Sequence, residues 1–508
     1  MGLNSESRTV NASKNALSAV GNKIIMLCLT FISRKFFIKY IGVEYLGING
    51  LFSNILTLLS MADLGLGTAM NVSLYKPIAE NDTRKLSAML NYFRKLYYFI
   101  AAGVMVIGLA LLPFLKYIVN MDSNIPYLYT YYVVFVFKSA VSYLFVYKSS
   151  IVKADQKAYL INKVEVYINV IKTILQFIVV ILIHNYLVYI LLEVLAVVAQ
   201  NISVSQIADK NYPFIKMKKE LSVTEKKKIF SDTSSIFLYK IAWSLLNGTD
   251  NILMSILVGT VFVGYYSNYY TITSNLEMFV ALLFTSLTAS IGNLVATSLP
   301  EKRYQTFKTM QMVSFWICGN VVVCLLFLMQ DFIVIWLGEE LLLDNVTLIA
   351  IILNIFFSLC MRPVWTFREG TGMYKQIRYI MFVTAIVNLI LSIVLGKVIG
   401  LSGIIFATSV SKISTYFWFE PNILFKNFFK KKPIYYYMEY IKNTVIIFIC
   451  IGLCYIPVHF ITTISIINWI LKALICIIII NLIYFIRYSS TEEFINIKDK
   501  VIRLLHIK

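Results

Sequence analysis

Runs of about 20 or more apolar residues recur along this chain, each long enough to cross a hydrocarbon layer roughly 30 Å thick. Fourteen are legible, near 14–41, 45–73, 92–118, 125–150, 158–183, 186–208, 229–257, 262–297, 307–333, 342–366, 374–398, 401–425, 439–463 and 465–488. A water-soluble fold has nowhere to put them. Of the 508 residues, 59% are hydrophobic and only 14% charged, so much of the apolar surface must face lipid. The runs show no strand-like alternation, which leaves the α-helix as the way to satisfy every backbone group in lipid. The expected fold is an all-α polytopic membrane protein with about 14 transmembrane helices.

No metal or cofactor is expected. The seven cysteines (Cys28, Cys318, Cys324, Cys360, Cys450, Cys454, Cys476) lie inside apolar runs without a CxxC pair and read as small buried hydrophobes. His184, His459 and His506 are far apart in sequence. A Walker-type GxxxxGK[ST] loop is absent from the sequence, so ATP hydrolysis is not expected. The first eighteen residues are polar, so the first span is expected to be retained rather than cleaved as a signal peptide.

The net charge of +20 is sorted by loop. Taken alternately, one set of connections holds Lys14; Lys76, Arg84 and Lys85; Lys148, Lys153 and Lys157; Lys210 to Lys228; Lys302 and Arg303; Arg362, Arg368 and Lys375; Lys426 to Lys432; and the tail from Arg487. The other set is short and poor in basic residues, and includes the acidic Asp331, Glu339, Glu340 and Asp344. This is the positive-inside bias, and it places both termini in the cytoplasm. The loop lysines then serve topology and anionic lipid rather than nucleic acid.

A repeat runs through the same frame. IGVEYLG (41–47) aligns with VGTVFVG (258–264), setting Gly42 over Gly259 and Gly47 over Gly264, both 217 residues apart. At that shift the second, third and fifth spans fall on the eighth, ninth and eleventh. Six spans repeated in one orientation imply two pseudo-symmetric six-helix lobes, the plan of alternating-access transporters, plus two C-terminal helices. The expected organisation is a first lobe over 1–208, a basic linker over 209–228, a second lobe over 229–425, an appendage over 426–488 and a tail over 489–508.

Ionisable residues inside a span are costly and usually face a cavity or a partner. Helical spacing puts Lys23, Leu27, Thr30 and Arg34 on one face of the first span. Lys240, Ser244, Asn247 and Asn251 share a face of the seventh, with Asp250 adjacent. Ser267, Tyr270, Ser274 and Glu277 line the eighth, and Glu165, Asn169, Lys172 and Gln176 the fifth. Lys138 lies in the fourth span and Glu193 in the sixth. A cavity lined by Lys23, Arg34, Lys240, Lys172, Lys138, Asn247 and Asn251 would attract phosphate or pyrophosphate through its summed positive field.

Asp63, Glu277, Asp250 and Glu193 are the gate or coupling candidates; Gly42, Gly47, Gly65, Gly67, Gly259 and Gly264 are the hinge candidates. Blander roles compete with these. Lys35 and Lys39 suit snorkelling, Lys172 suits an intralobe pair with Glu165, and YYSNYY (265–270) and YLYTYY (127–132) suit an aromatic belt. Asp63 lies near the cytoplasmic end of the second span, where an inner gate and a helix cap are equally open to it.

DLGLGTA closing the second span, TDNILMSILVGTVFVGYYS around the seventh, IWLGEEL after the ninth and the 6+6+2 layout resemble Wzx-type polysaccharide (O-antigen or capsule repeat-unit) flippases. These belong to the multidrug/oligosaccharidyl-lipid/polysaccharide exporter superfamily. The resemblance covers nearly the whole chain, more weakly over the last two spans. It implies a V-shaped pair of six-helix bundles with a cavity lined by spans one, two, seven and eight. It also implies that an undecaprenyl-pyrophosphate-linked oligosaccharide is turned to the outer leaflet of a bacterial cytoplasmic membrane for surface polysaccharide biosynthesis. Basic residues of spans one and seven (Lys23, Arg34, Lys240) would meet the anionic head group. A polysaccharide polymerase and a chain-length regulator are the candidate protein partners, and a monomer would suffice. Rival readings on the same fold are a peptidoglycan-precursor lipid flippase and a cation-coupled drug exporter. A membrane polymerase or glycosyltransferase is the reading from another class, and short, candidate-poor external loops disfavour it.

Overall fold

The computed structural model describes residues 8–60, 63–121, 125–217, 219–227, 241–246 and 248–504, among which there are helices and turns but no strand. The first half contains α1 (Arg8–Tyr40), α2 (Val43–Leu59), α3 (Asp63–Ala79), α4 (Thr83–Ala110), α5 (Leu128–Ser142), α6 (Val146–Ala154), α7 (Ala158–Ile178) and α8 (Tyr186–Asn211). Next come α9 (Asp250–Leu257), α10 (Thr260–Thr285), α11 (Thr288–Thr297), α12 (Pro300–Leu337), α13 (Asn345–Cys360), α14 (Arg362–Thr371) and α15 (Tyr374–Ser414). The chain closes with α16 (Tyr416–Leu424), α17 (Ile434–His459), α18 (Ile466–Tyr488) and α19 (Glu492–Leu504).

Eight helical stretches among the described residues are long and apolar enough to cross a membrane, and two bent pairs bring the number to ten. The fourteen expected spans are compatible with this, because predicted and observed boundaries differ. The second span is divided into α2 and α3, and part of the seventh lies outside the described residues. The eleventh and twelfth run together in α15 across a kink where Gly400 takes φ 62°, a conformation glycine adopts without penalty. The chain is a multi-pass helical membrane protein.

The repeat is visible in the elements themselves. The starts of α2 and α10, of α4 and α12, and of α5 and α13 are each separated by 217 residues. The bent pairs correspond too: α5 meets α6 at 44°, and α13 meets α14 at 43°. In the second copy Pro363, in the first turn of α14, cannot donate a hydrogen bond back into α13. The first copy breaks without a proline.

Contacts divide the chain into two compact units, Met1–Gly264 and Tyr265–Lys508. In the first, α1 packs on α7, α5 on α4 and α8, and α7 on α8. Phe52 sits edge-on to Tyr132 and Phe135, at 5.1 and 5.6 Å between ring centroids. In the second, α12 is central, holding α13, α17 and α18. Phe307 anchors its basic end against Phe367, Phe425 and Phe429. Lipid tails are as apolar as leucine, so packing and polar ties hold such helices together.

Those ties recur in both units. Lys148 of α6 bonds Ser205 and Asp209 of α8, at 2.6 and 2.7 Å. Arg368 of α14 reaches both oxygens of the fully buried Glu420 of α16, at 3.1 and 3.2 Å. The second half of each bent pair is thus pinned to a later helix of its own unit, α8 in the first and α16 in the second. The loop assignments of Lys148, Lys153, Arg362 and Arg368 are corrected accordingly: all four lie in α6 or α14, because each bent span runs on past its break. Asp331, placed in an outer loop from the sequence, is a residue of α12 and pairs with Lys472 of α18 at 2.6 Å. Asp344 caps α13, accepting from the Thr347 amide and hydroxyl at 2.9 and 2.6 Å.

Candidate functional site

Arg34, Lys138, Lys172 and Glu193 come from four different helices of the first unit and converge. Lys138 of α5 donates to Glu193 of α8 at 2.5 Å. Lys172 and Gln176 of α7 face the same carboxylate, and Arg34 of α1 lies against Tyr189, one turn before it. Two cations, Lys138 and Lys172, therefore face one acid inside the helical bundle, with Arg34 beside the neighbouring Tyr189. No salt bridge joins Lys172 to Glu165 among the described residues; Glu193 takes that place, since α7 turns Lys172 toward α8. Lys23 is exposed, eleven residues and roughly 16 Å along α1 from Arg34. Lys35 and Lys39 are also exposed.

The second unit holds a comparable group. Glu277 of α10 is hydrogen-bonded by the Ser358 hydroxyl of α13 and feels the charges of Arg362 on α14 and Lys412 on α15. Lys412, Glu420 and Lys472 are inner charges that the sequence reading passed over. The signal was available, since each is an ionisable residue within a predicted span, Lys412 and Glu420 in the same one.

The two aligned glycine motifs meet directly. Gly42 and Gly259 have φ of 111° and 140°, so each motif turns its chain into the following helix through a conformation closed to most side chains. Gly47 then lies against the Thr260 carbonyl. A Cβ built on Gly264 would stand 2.5 Å from the Val43 carbonyl oxygen and 3.1 Å from the Gly47 nitrogen. Thr260 and Val43 are themselves equivalent at the 217 shift, so each copy of the motif presents its glycine to the other's carbonyl. The seam is tied further by Thr260, whose amide donates to the Asn120 carbonyl at 2.7 Å. Ser255 donates to the Ile118 carbonyl at 2.6 Å.

Asp250 and Asn251 open α9, half-buried. Lys240, Asn247, the side chain of Asp63 and the surroundings of Gly65 lie outside the described residues; Gly67 is half-buried within α3. Within the aromatic runs, Tyr269 is fully buried and donates to Gln330 at 2.5 Å, and Tyr131 and Tyr132 are core residues. Tyr127, Tyr129 and Tyr270 are exposed, as a belt requires. Among the described residues no group of His, Cys, Asp and Glu could hold a metal ion.

This architecture is that of multi-pass membrane transporters. The fold is similar to the lipid II flippase MurJ in an inward closed conformation, with TM-score 0.67 and 15% identity over 94% of this chain and 99% of that one. It is also similar to an inward-facing multidrug resistance MATE family transporter, with TM-score 0.62 and 13% identity over 79% and 97% of the two chains. A third likeness is to the MATE multidrug transporter DinF-BH, with TM-score 0.57 and 14% identity over 84% and 98%. No curated protein matches the sequence. Residues 12–289 match the family described as polysaccharide biosynthesis protein, and the chain belongs to that family.

Proposed function

We propose that this protein is a flippase that turns an undecaprenyl-pyrophosphate-linked oligosaccharide from the inner to the outer leaflet of a bacterial cytoplasmic membrane. The observation that carries the reading is the conjunction of a polysaccharide-biosynthesis family match over 12–289 with a lipid-flippase fold over 94% of the chain. The excess of cation over acid where Lys138 and Lys172 face Glu193 supports it, because a pyrophosphate drawn out of water needs compensating charge. The sugars and pyrophosphate would enter the protein while the isoprenoid stays in lipid, and alternating access would carry the head group across. The positive-inside bias fits cytoplasmic termini.

A peptidoglycan-precursor lipid is the second reading, favoured by the extent of the likeness to MurJ. Reconstitution in liposomes separates the two. The purified chain receives either lipid-linked substrate, and exposure on the far leaflet is read with an impermeant lectin or glycosidase. Faster exposure of the oligosaccharide lipid, lost in Arg34→Glu, is the expected result. Exposure of the peptidoglycan precursor alone would replace the first reading with the second.

A further inference from the structure

At the basic end of the second unit, α12, α17, α18 and α19 enclose a cavity of about 410 Å³. Its inner wall carries Gln311, which is 5% exposed and whose amide nitrogen has no acceptor among the described residues. A buried donor in that condition is poised for an acceptor that the protein itself does not supply. Around it stand three cations and two carboxylates. Lys308 is paired with Glu493 at 2.5 Å and Lys442 with Glu439 at 2.8 Å, while Arg487 must share Glu439 from 3.8 Å, beyond hydrogen-bond reach. The lining thus holds one positive charge in surplus, on the side chain best shaped to fork onto phosphate oxygens.

The surroundings select the source of that phosphate. The cavity opens where α17 begins and α18 ends. There Ile434, Met438, Ile441, Phe485 and Ile486 point outward with exposures of 48–69%, a surface made for acyl chains. Tyr304, Tyr435 and Tyr488 also line it, as tyrosines do at the level of lipid head groups.

We propose that this cavity is a binding site for the phosphodiester head group of an anionic phospholipid, held by Gln311, Arg487 and Lys442 with its acyl chains along α17 and α18. The site lies wholly within the second unit, and the proposal does not depend on the substrate proposed above. Its occupant would join the appended helices to α12 at the membrane surface, beside the docked tail.

The full-length chain, purified in detergent, would be presented with phosphatidylglycerol or phosphatidylcholine and examined by native mass spectrometry. Preferential retention of one phosphatidylglycerol is expected. Gln311→Leu combined with Arg487→Gln should weaken it by ~10-fold or more, since two charge-assisted or buried hydrogen bonds are lost. Lys375→Gln, an exposed charge outside the cavity, should leave it unchanged. If the double variant fails gel filtration, Lys442→Gln is read in its place. Equal retention of the two lipids, or no loss in either cavity variant, overturns the proposal. Full displacement by inorganic phosphate reassigns the site to a soluble anion and overturns the lipid source.

Discussion

Gly264 and Gly47 show how a single missing atom sets a contact. Each backbone approaches the other motif closely enough that a side chain has no room. Gly264→Val should cost about 1–3 kcal/mol of packing strain if the seam stays shut, so the variant is expected to hold it apart. In the liposome assay its transport should fall about 5- to 150-fold by the conversion of that energy. Gly103→Ala is the control, because nothing lies within 4 Å of a Cβ there. Equal transport by the two variants would show that the seam need not close. The seam was half legible beforehand: aligning the motifs exposed the paired glycines, but the spacing suggested hinges and gave no hint that one glycine meets the other's carbonyl. Contact across 217 residues is not encoded in local periodicity.

Single helices are stabilised by the ladder within them, and what the elements add is pairing. Arg368→Ala would strand the Glu420 carboxylate in a dry interior, at a cost of about 3–5 kcal/mol. Lys148→Ala should cost less, because Asp209 retains 32% exposure and can be met by water. Thermal unfolding in detergent would rank the two, and a larger shift for Lys148→Ala would refute the ranking. The tail helix α19 carries a pH prediction. Burial is the largest single influence on the Glu493 carboxyl and pushes it upward, but the hydrogen bond and charge of Lys308, a backbone amide and Thr491 together outweigh it, leaving the carboxyl below the ordinary value of 4.5. A lowered carboxyl contributes stability that is complete above its ordinary value and is lost as pH falls through the lowered one. Tail docking should therefore be constant between about pH 5 and 8 and loosen only in stronger acid. Amide exchange at Phe494 and Ile495 would follow it, and loosening near neutrality would contradict the assignment.

For the whole molecule, transport joins these parts into one cycle. If Glu277, Asp250, Asp63 or Glu193 carries a coupling ion, neutralising that residue should abolish any dependence on a proton or sodium gradient while leaving downhill exposure of substrate. Liposomes with and without each gradient measure this. Glu193→Gln carries a further expectation, because it removes the acid that Lys138 and Lys172 both face. Its folding should suffer as well as its coupling, which melting temperature would separate from transport.

Apolar length, loop charge and the 217-residue shift determined, without any structure, that this chain crosses a membrane many times, with helices in a duplicated plan. These properties follow from local chemistry: a 20-residue apolar run has few other fates, and loop charge is read one connection at a time. Tertiary structure alone decided which inner charges answer one another. Lys172 turned to Glu193 rather than Glu165, Asp331 to Lys472, and Arg368 to Glu420, since a charge in a low-dielectric interior takes whichever partner packing brings near. Sequence periodicity gives the face of a helix on which a residue lies, and only the packed bundle says what that face meets.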